Sequence, residues 1–168
     1  ESIWTGSVVE HGGTFYLFYT GKNSNDPLGD QKVMQARSVD LIHWTKHPEY
    51  TFYADGKIYW NKTINGAIDD KQIYHHQAFR DPHVVWNGRE NRWWLADGSA
   101  PNVGLYTSRD LTHWTPHAPL VVYPASVSGD CPDLFELNGL WNVNCADYHY
   151  MQVRDTGAID PPVQPYDC

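Results

Sequence analysis

The chain has 168 residues, enough for one domain with a hydrophobic core. Its formal net charge is −8, from 20 acidic and 12 basic residues, and such a surface repels phosphate backbones, which argues against a nucleic-acid partner. No apolar stretch is long enough to cross a bilayer, and the first residues lack the basic and apolar regions of a signal peptide. Aromatic residues make up 14% of the sequence, which suits a β-sheet protein or a carbohydrate-binding protein.

Three segments are predicted to form β-hairpins, at residues 7–21, 81–98 and 131–147. Each has a short apolar run, a polar turn that contains glycine, and a second run that carries aromatic residues. These features are typical of paired strands joined by a tight turn. No long window shows a helical period with capping residues, so the sequence predicts an all-β protein.

A second pattern closes the first two of these units. Segments 37–48 and 107–119 share the order Asp-Leu-x-His-Trp-Thr, in which His43 aligns with His113. Each segment follows a predicted third strand, and we expect the two histidines to be packing residues. A hairpin, a third strand and a closing motif, repeated along the chain, describe the four-stranded blades of a β-propeller. A β-sandwich made of hairpins is the alternative, although its strands need not repeat one another.

Blade-like units are predicted at residues 1–48, 79–119 and 129–153, followed by a polar, proline-containing tail at 154–168. Propellers have roughly 4 to 8 blades, so the sequence is predicted to cover two to three blades of one. Because an open propeller would expose sheet edges, we expect an oligomer or a partner chain to complete the ring.

The residues just before each hairpin carry the candidate chemistry. The first strand of each blade lines the central channel, so these residues are predicted to meet in one funnel. Two of the three positions supply a carboxylate at equivalent ends of the hairpins, Asp81 and Asp130. A pair of carboxylates facing one cavity is the equipment of glycoside hydrolysis, and Arg80 is expected to keep one of them ionised. Asp-Pro pairs also begin strands without any function, and an Arg-Asp pair can be an idle surface ion pair.

Metal and cofactor chemistry is not indicated by the sequence. Cys131, Cys145 and Cys168 lack the spacing of a metal site, and their odd number leaves at least one unpaired within the chain. The triplet that begins at Asn61 is a sequon that permits N-glycosylation. It favours an extracellular or secreted protein only mildly, because such triplets often arise by chance.

The motifs WTGS, FRDP and DCPDLF occur in this order, with SVDLIHW and SRDLTHW between them. This arrangement resembles glycoside hydrolase family 32, the invertases, inulinases and levanases, from about residue 3 to residue 150. The resemblance implies a five-bladed propeller that acts on fructose-containing oligo- or polysaccharides without a cofactor. The two closing motifs taken alone also fit the related family 43 arabinosidases and xylosidases.

The resemblance implies roles for individual residues. Asp81 matches the family's transition-state stabiliser, which contacts the fructosyl hydroxyls, and Arg80 would hold the charge and geometry of that site. Asp130 stands where the family has its general acid/base. The other residues implied in substrate binding are Trp4, Ser7, Phe79 and Cys131. Asp81 and Asp130 are therefore predicted to point into one polar funnel.

Two departures from the family pattern affect the mechanism. The family acid is Glu, whereas Asp130 is one methylene shorter. The family nucleophile is the Asp of an Asn-Asp-Pro-Asn-Gly motif upstream of WTGS, so we expect it to lie outside this chain. Asp26 follows WTGS, lacks the Asn-Gly, and is expected to be structural. The alternatives to a retaining β-fructofuranosidase are a non-catalytic carbohydrate-binding propeller and a family 43-like arabinosidase or xylosidase.

Overall fold

The computed structural model describes residues 2–66, 78–99, 102–122, 129–146 and 150–153. In these ranges the chain forms eleven strands in three antiparallel sheets, each a meander of neighbouring strands. The first sheet contains β1 (Ser2–His11), β2 (Thr14–Lys22), β3 (Gln31–Ser38) and β4 (Thr45–Lys46). The second contains β5 (Arg80–Asn87), β6 (Arg92–Ser99), β7 (Asn102–Ser108) and β8 (Thr115–Val122). The third contains β9 (Asp133–Leu137), β10 (Leu140–Asn144) and β11 (Tyr150–Val153).

Helical structure is confined to one 3-10 turn (Pro48–Tyr50) and one short helix, α1 (Lys62–Asn65), within the described ranges. None of the helical structure described there is long and apolar enough to span a membrane. The predicted tail at 154–168, with Cys168, lies outside the described residues.

The hairpin turns form where the chain can adopt positive φ. Gly12 and Gly13 have φ of 61° and 80°, and Asn138 and Gly139 have φ of 51° and 78°. Positive φ at both central residues is the requirement of the tight turn whose twist matches that of the paired strands. The flanking residues pair directly across each turn, which confirms the predicted hairpins.

The second sheet is buried on both of its faces. Successive residues of a strand point to opposite faces, so β6 sends Trp93 and Leu95 into the core shared with the first sheet. It sends Trp94 and Ala96 into the core shared with the third sheet. β1 packs beside β5, and β5 packs beside β9. Meander sheets stacked in this way, with their first strands adjacent, are blades, and they confirm the predicted all-β partial propeller.

The repeated closing motif forms the same turn in both sheets. The carboxylates of Asp40 and Asp110 each accept hydrogen bonds from the backbone amides two and three residues later. The rings of His43 and His113 bond the same carboxylates through Nδ1 at 2.7 Å, and both histidine side chains are 85% exposed. The expectation that these histidines are packing residues is therefore wrong, because each one binds the aspartate of its own turn at the surface.

Asn61 of the sequon is a buried structural residue, with 5% of its surface exposed. Its Nδ2 donates to the backbone carbonyls of Leu28 and Ala54 at 3.0 and 2.9 Å. Its Oδ1 accepts a hydrogen bond from the Thr63 amide at 2.9 Å. The amide nitrogen that a glycan would occupy is thus committed to the fold.

Candidate active site

A β-bulge places Asp81 at the mouth of the second sheet. The register of β5 against β6 shifts between Arg80 and His83, so that Asp81 and Pro82 together stand opposite the single residue Asp97. Asp81 has a φ of 61°, a left-handed conformation that is uncommon outside glycine. Bulges re-aim side chains, and residues held in such conformations concentrate at functional sites.

The third sheet opens in the same way. The Asp130 carbonyl accepts a hydrogen bond from the Ala146 amide at 3.0 Å, three residues before the regular pairing of β9 begins. Cys131 and the proline after it thereby stand opposite Cys145, and Cys131 has a φ of 49°. In blade geometry the counterpart of Asp81 is therefore Cys131, and Asp130 is the counterpart of Arg80. The two aspartates reach the same region from positions that differ by one residue.

Arg80 joins the two predicted carboxylates. Its Nη2 lies 2.6 Å from Asp130 Oδ2, and its Nε lies 3.7 Å from Asp81 Oδ2. The Asp81 side chain is 6% exposed, while those of Arg80 and Asp130 are 24% and 27% exposed. The cluster therefore has a partly open side formed by Asp130 and Arg80, with Asp81 set deeper.

Cys131 holds Asp81 from the third sheet. Its backbone amide donates to Asp81 Oδ2 at 3.2 Å, and its thiol donates to the same oxygen at 3.4 Å. Burial raises the pKa of the Cys131 thiol, and the negative charge of Asp81 raises it further, so the neutral thiol is the favoured form. A neutral thiol can donate to the carboxylate, which is what the geometry requires.

Two residues of the first sheet hold the Arg80–Asp81 segment, and nothing in the sequence had marked them. Thr20 Oγ1 accepts the Asp81 amide at 2.7 Å and donates to the Thr5 carbonyl at 3.2 Å. Gln31 Oε1 accepts the Phe79 amide at 2.9 Å. Both side chains belong to strands more than 45 residues away in sequence from the segment that they position.

Ser7 and Phe79 support the site rather than line its open side. Ser7 Oγ donates to the Pro82 carbonyl at 2.9 Å and accepts the Val84 amide at 3.0 Å, which ties β1 to β5 across the bulge. Phe79 is 3% exposed and packs edge-on against Tyr106, with 5.8 Å between ring centroids.

Trp4 takes a different position from the other predicted site residues. It is 40% exposed and borders an apolar depression together with Leu17, Ala36 and Trp44. Leu17 and Phe18 are successive residues of β2, so their side chains point to opposite faces of the first sheet. Phe18 faces the second sheet, and the depression that Leu17 borders therefore lies on the other face of the first sheet. The structure therefore brings together Arg80, Asp81, Asp130 and Cys131, and it does not bring Trp4 to them.

Asp97 is a third carboxyl at the cluster that sequence reasoning missed. It is fully buried, and its Oδ2 accepts a hydrogen bond from Ser99 Oγ at 2.9 Å. Burial raises the pKa of Asp97 well above its usual range, and the negative charges of Asp81 and Asp130 add to the effect of burial, against the lowering effects of Ser99 and Arg80. A buried acid whose pKa is raised beside two other carboxyls is a mark of functional sites.

The other carboxylates considered from the sequence are bound elsewhere. Asp26 is paired with Lys32, and its Oδ2 also accepts the Tyr53 hydroxyl at 3.0 Å. Glu136, which follows the DCP motif, pairs with Arg89 at 3.0 Å on an exposed part of the surface. Among the described residues there is no group of three His, Cys, Asp or Glu side chains that could hold a metal ion.

The model of the family described as glycosyl hydrolases family 32, N-terminal domain, matches residues 1–157. The chain belongs to glycoside hydrolase family 32. Its relatives in this family include a levanase of Bacillus subtilis (strain 168), 38% identical over 143 residues, and an insoluble β-fructofuranosidase isoenzyme of Arabidopsis thaliana, 30% identical over 143 residues. The matches cover 81% and 80% of this chain but 19% and 23% of the relatives, so the chain spans less than a quarter of their length.

Solved structures agree with this family assignment and with the fold. A family 32 β-fructofuranosidase of Bombyx mori superposes with a TM-score of 0.56 at 25% identity, over 88% of this chain and 33% of that chain. A thermostable family 43 glycoside hydrolase superposes with a TM-score of 0.62 at 14% identity, over 96% of this chain and 52% of that chain. The second similarity concerns the fold alone.

Proposed function

We propose that this chain carries part of the site of a glycoside hydrolase that acts on β-fructofuranosides of the sucrose, inulin or levan type. The observation that supports the proposal most directly is the meeting of Asp81 and Asp130 at Arg80, between two blades of a family 32 chain. Levanases and β-fructofuranosidases among its relatives suggest the substrate class.

In the proposed reaction, Asp130 is the general acid/base, because it is the more exposed of the two carboxylates. It donates a proton to the leaving glycosidic oxygen and then takes one from the attacking water. Asp81, which accepts the amide and the thiol of Cys131 and lies beside Arg80, stabilises the oxocarbenium-like transition state through the fructosyl hydroxyls. Arg80 fixes the separation of the two carboxylates.

The proposed mechanism is retaining and also requires a nucleophilic carboxylate, which we assign to none of the described residues. Asp26 is occupied by Lys32 and Tyr53, and Asp97 is fully buried. Catalytic competence therefore depends on a group beyond the cluster formed by Asp81, Asp97 and Asp130.

A non-catalytic carbohydrate-binding propeller is the second candidate, and the identity of residue 130 favours it. Aspartate is one methylene shorter than the glutamate of the family pattern, and a displacement of about 1 Å can lower the rate roughly 100-fold. A site in which Asp130 is paired with Arg80 and falls short of the glycosidic oxygen would still bind sugar hydroxyls.

Fructose release and direct calorimetric binding of sucrose, inulin and levan, measured on the same preparations, separate the two candidates. We expect Asp81→Asn to lower both binding and release, Asp130→Asn to abolish release while binding persists, and Asp130→Glu to raise release by up to about 100-fold. Asp110→Asn is the matched control, because Asp110 lies in the closing turn of the second sheet.

Binding without release in the wild type and in Asp130→Glu would favour the binding module. Release from arabinosides or xylosides instead of fructosides would favour a family 43-like activity. An effect of Asp110→Asn as large as that of Asp81→Asn would contradict the proposed site.

We also predict that an oligomer or a partner chain completes the propeller ring, and that the protein is extracellular. The mass of the protein in solution tests the predicted assembly, and cell fractionation of a reporter fusion tests the predicted location. The outer face of the first sheet exposes Trp4 and Val8, which agrees with a covered face in the assembled propeller.

A further inference from the structure

Asp97 occupies a position that is uncharged in the two other blades. In the first sheet the residue opposite the bulge is Thr20, because the register of β1 shifts between Ile3 and Gly6. In the third sheet the residue in this place is Cys145. All three are buried, at 0%, 0% and 2% exposure for Thr20, Asp97 and Cys145. A carboxyl at this position carries a larger desolvation cost than a hydroxyl or a thiol, so its presence needs a reason.

The surroundings of Asp97 provide one hydroxyl donor, from Ser99. Its Oδ2 accepts that hydroxyl, while its buried Oδ1 has no hydrogen-bond partner in the described part of the chain. Two stacked tyrosines, Tyr59 and Tyr106, lie near it on the same face of the sheet, and burial raises the pKa of both hydroxyls, so they are neutral groups.

The charged groups that face Asp97 come from two elements. β5 contributes Arg80 and Asp81, and the segment before β9 contributes Asp130. The groups that β7 and the 52–61 connection contribute are the neutral tyrosines Tyr106 and Tyr59. Asp97 therefore stands opposite the bulge that carries Asp81, close enough to Arg80 for its charge to act on Asp97, and the Arg80 guanidinium is already bonded to Asp130 at 2.6 Å.

We propose that Asp97 is a positioning residue that stays protonated in the competent site, and that its ionisation draws Arg80 away from Asp130. The neutral acid leaves the guanidinium to Asp81 and Asp130 alone. When the proton leaves to solvent, a new negative charge on Asp97 competes for Arg80 across a buried space where such interactions are strong. The link to sugar chemistry rests on the proposed function, whereas the coupling among the three carboxyls does not.

The coupling is tested first on the ligand-free protein. Carboxyl carbons of isotopically labelled aspartate are followed by NMR as the pH is raised, in the wild type, in Asp97→Asn and in the control Asp110→Asn. We expect one carboxyl of the wild type and of the control to stay protonated after the exposed aspartates have ionised, and we expect this carboxyl to be missing in Asp97→Asn. The Asp130 and Asp81 signals should move as that carboxyl ionises, and they should not move over this pH range in Asp97→Asn.

Ser99→Ala provides a second variant if Asp97→Asn does not fold. Removing the hydroxyl removes a hydrogen bond that favours the ionised acid, so the ionisation of Asp97 should move to higher pH. The proposal is overturned if Asp97 titrates together with exposed aspartates, if Ser99→Ala leaves its titration unchanged, or if Asp81 and Asp130 do not respond to it.

The functional part is tested by the pH dependence of fructoside cleavage, or of fructoside affinity if the chain binds without cleaving. The wild type should lose on the order of tenfold per pH unit above the ionisation of Asp97, because a single proton controls the site. Asp97→Asn should lack this alkaline decline whatever its activity at neutral pH, whereas a merely structural role would change stability and leave the decline in place. An unchanged alkaline decline in Asp97→Asn overturns the positioning role. If the wild type neither binds nor cleaves fructosides at any pH, the proposed function fails, and the NMR titration still decides the coupling.

Discussion

Thr20→Val isolates the hydroxyl that bridges the mouths of the first two blades. Valine has nearly the same shape as threonine, so the substitution removes the two hydrogen bonds of Oγ1 and keeps the packing. The Asp81 amide, bonded at 2.7 Å, becomes a buried donor without this partner, and the Thr5 carbonyl loses its donor at 3.2 Å. An orphaned buried donor costs about 1–3 kcal/mol, and the lost bond to the carbonyl adds about 0.5–1 kcal/mol.

We therefore expect Thr20→Val to lose about 1.5–4 kcal/mol of the free energy of unfolding. For a domain of this size that corresponds to a fall of roughly 3–16 °C in the melting temperature. Thr20→Ser is the matched control, because it keeps the hydroxyl and loses only a buried methyl, which costs about 1 kcal/mol. Urea unfolding gives the free energies, and the backbone amide resonance of Asp81 reports the local bond.

The two variants should also differ at the site. Thr20→Val frees the bulge that orients the Asp81 carboxylate, so affinity for a fructoside should fall, while Thr20→Ser should retain it. A Thr20→Val protein that melts within about 1 °C of the wild type, or a Thr20→Ser protein that is the less stable of the two, would refute the bridging role.

Further predictions concern stability and modification at four positions. Burial raises the pKa of Asp97 in the folded state above its value in the unfolded state. The free energy of unfolding of the wild type should therefore fall as pH rises above about 4, by up to about 1.4 kcal/mol per pH unit, until Asp97 ionises in the folded protein. Urea titrations should show that Asp97→Asn removes this pH dependence. Gly98→Ala should cost about 1–3 kcal/mol, because its Cβ would meet two backbone carbonyl oxygens at 3.1 and 3.2 Å, whereas Gly88→Ala, with its first contact at 3.7 Å, should be nearly neutral. The hydrogen bond from His43 lowers the pKa of Asp40. Ionised Asp40 therefore stabilises the fold above about pH 4, and this stabilisation is lost as the pH falls through the lowered pKa. The difference in free energy of unfolding between the wild type and Asp40→Asn should close in acid and persist at neutral pH. Folded protein secreted from a eukaryotic host should carry no glycan at Asn61, and a glycopeptide at that position in the folded fraction would contradict the buried assignment.

The sequence could predict the features that depend on neighbours along the chain. Tight hairpin turns need residues with positive φ, and glycine and asparagine adopt positive φ most readily. Gly12, Gly13 and Asn138 therefore indicate the turns in the sequence, and all three have positive φ in the structure. Asp40 and Asp110 form the closing turns by accepting hydrogen bonds from backbone amides two and three residues later. Because these bonds are local, the repeated motif forms the same turn in both sheets. What the sequence could not show is that the histidines of these turns lie outside, since packing and surface hydrogen bonding leave the same residue pattern.

The sequence by itself determined the strands, the turns, the blade repeat and the presence of Asp81 and Asp130 at the mouths of successive blades. Only the tertiary structure decided which way side chains point at those mouths, because each bulge shifts the register by one residue and a one-residue shift moves a side chain to the other face. Trp4 holds the same bulge position as Asp81, but Asp81 has a positive φ and Trp4 does not, and Trp4 lies apart from the cluster. The tertiary structure also decided that Thr20 holds Asp81 and that Asp97 is buried, since burial depends on neighbouring sheets that lie far away in sequence. The sequence does not show whether an aspartate in a strand is exposed to water or buried against another blade. That difference sets the pKa of the carboxyl and therefore its charge.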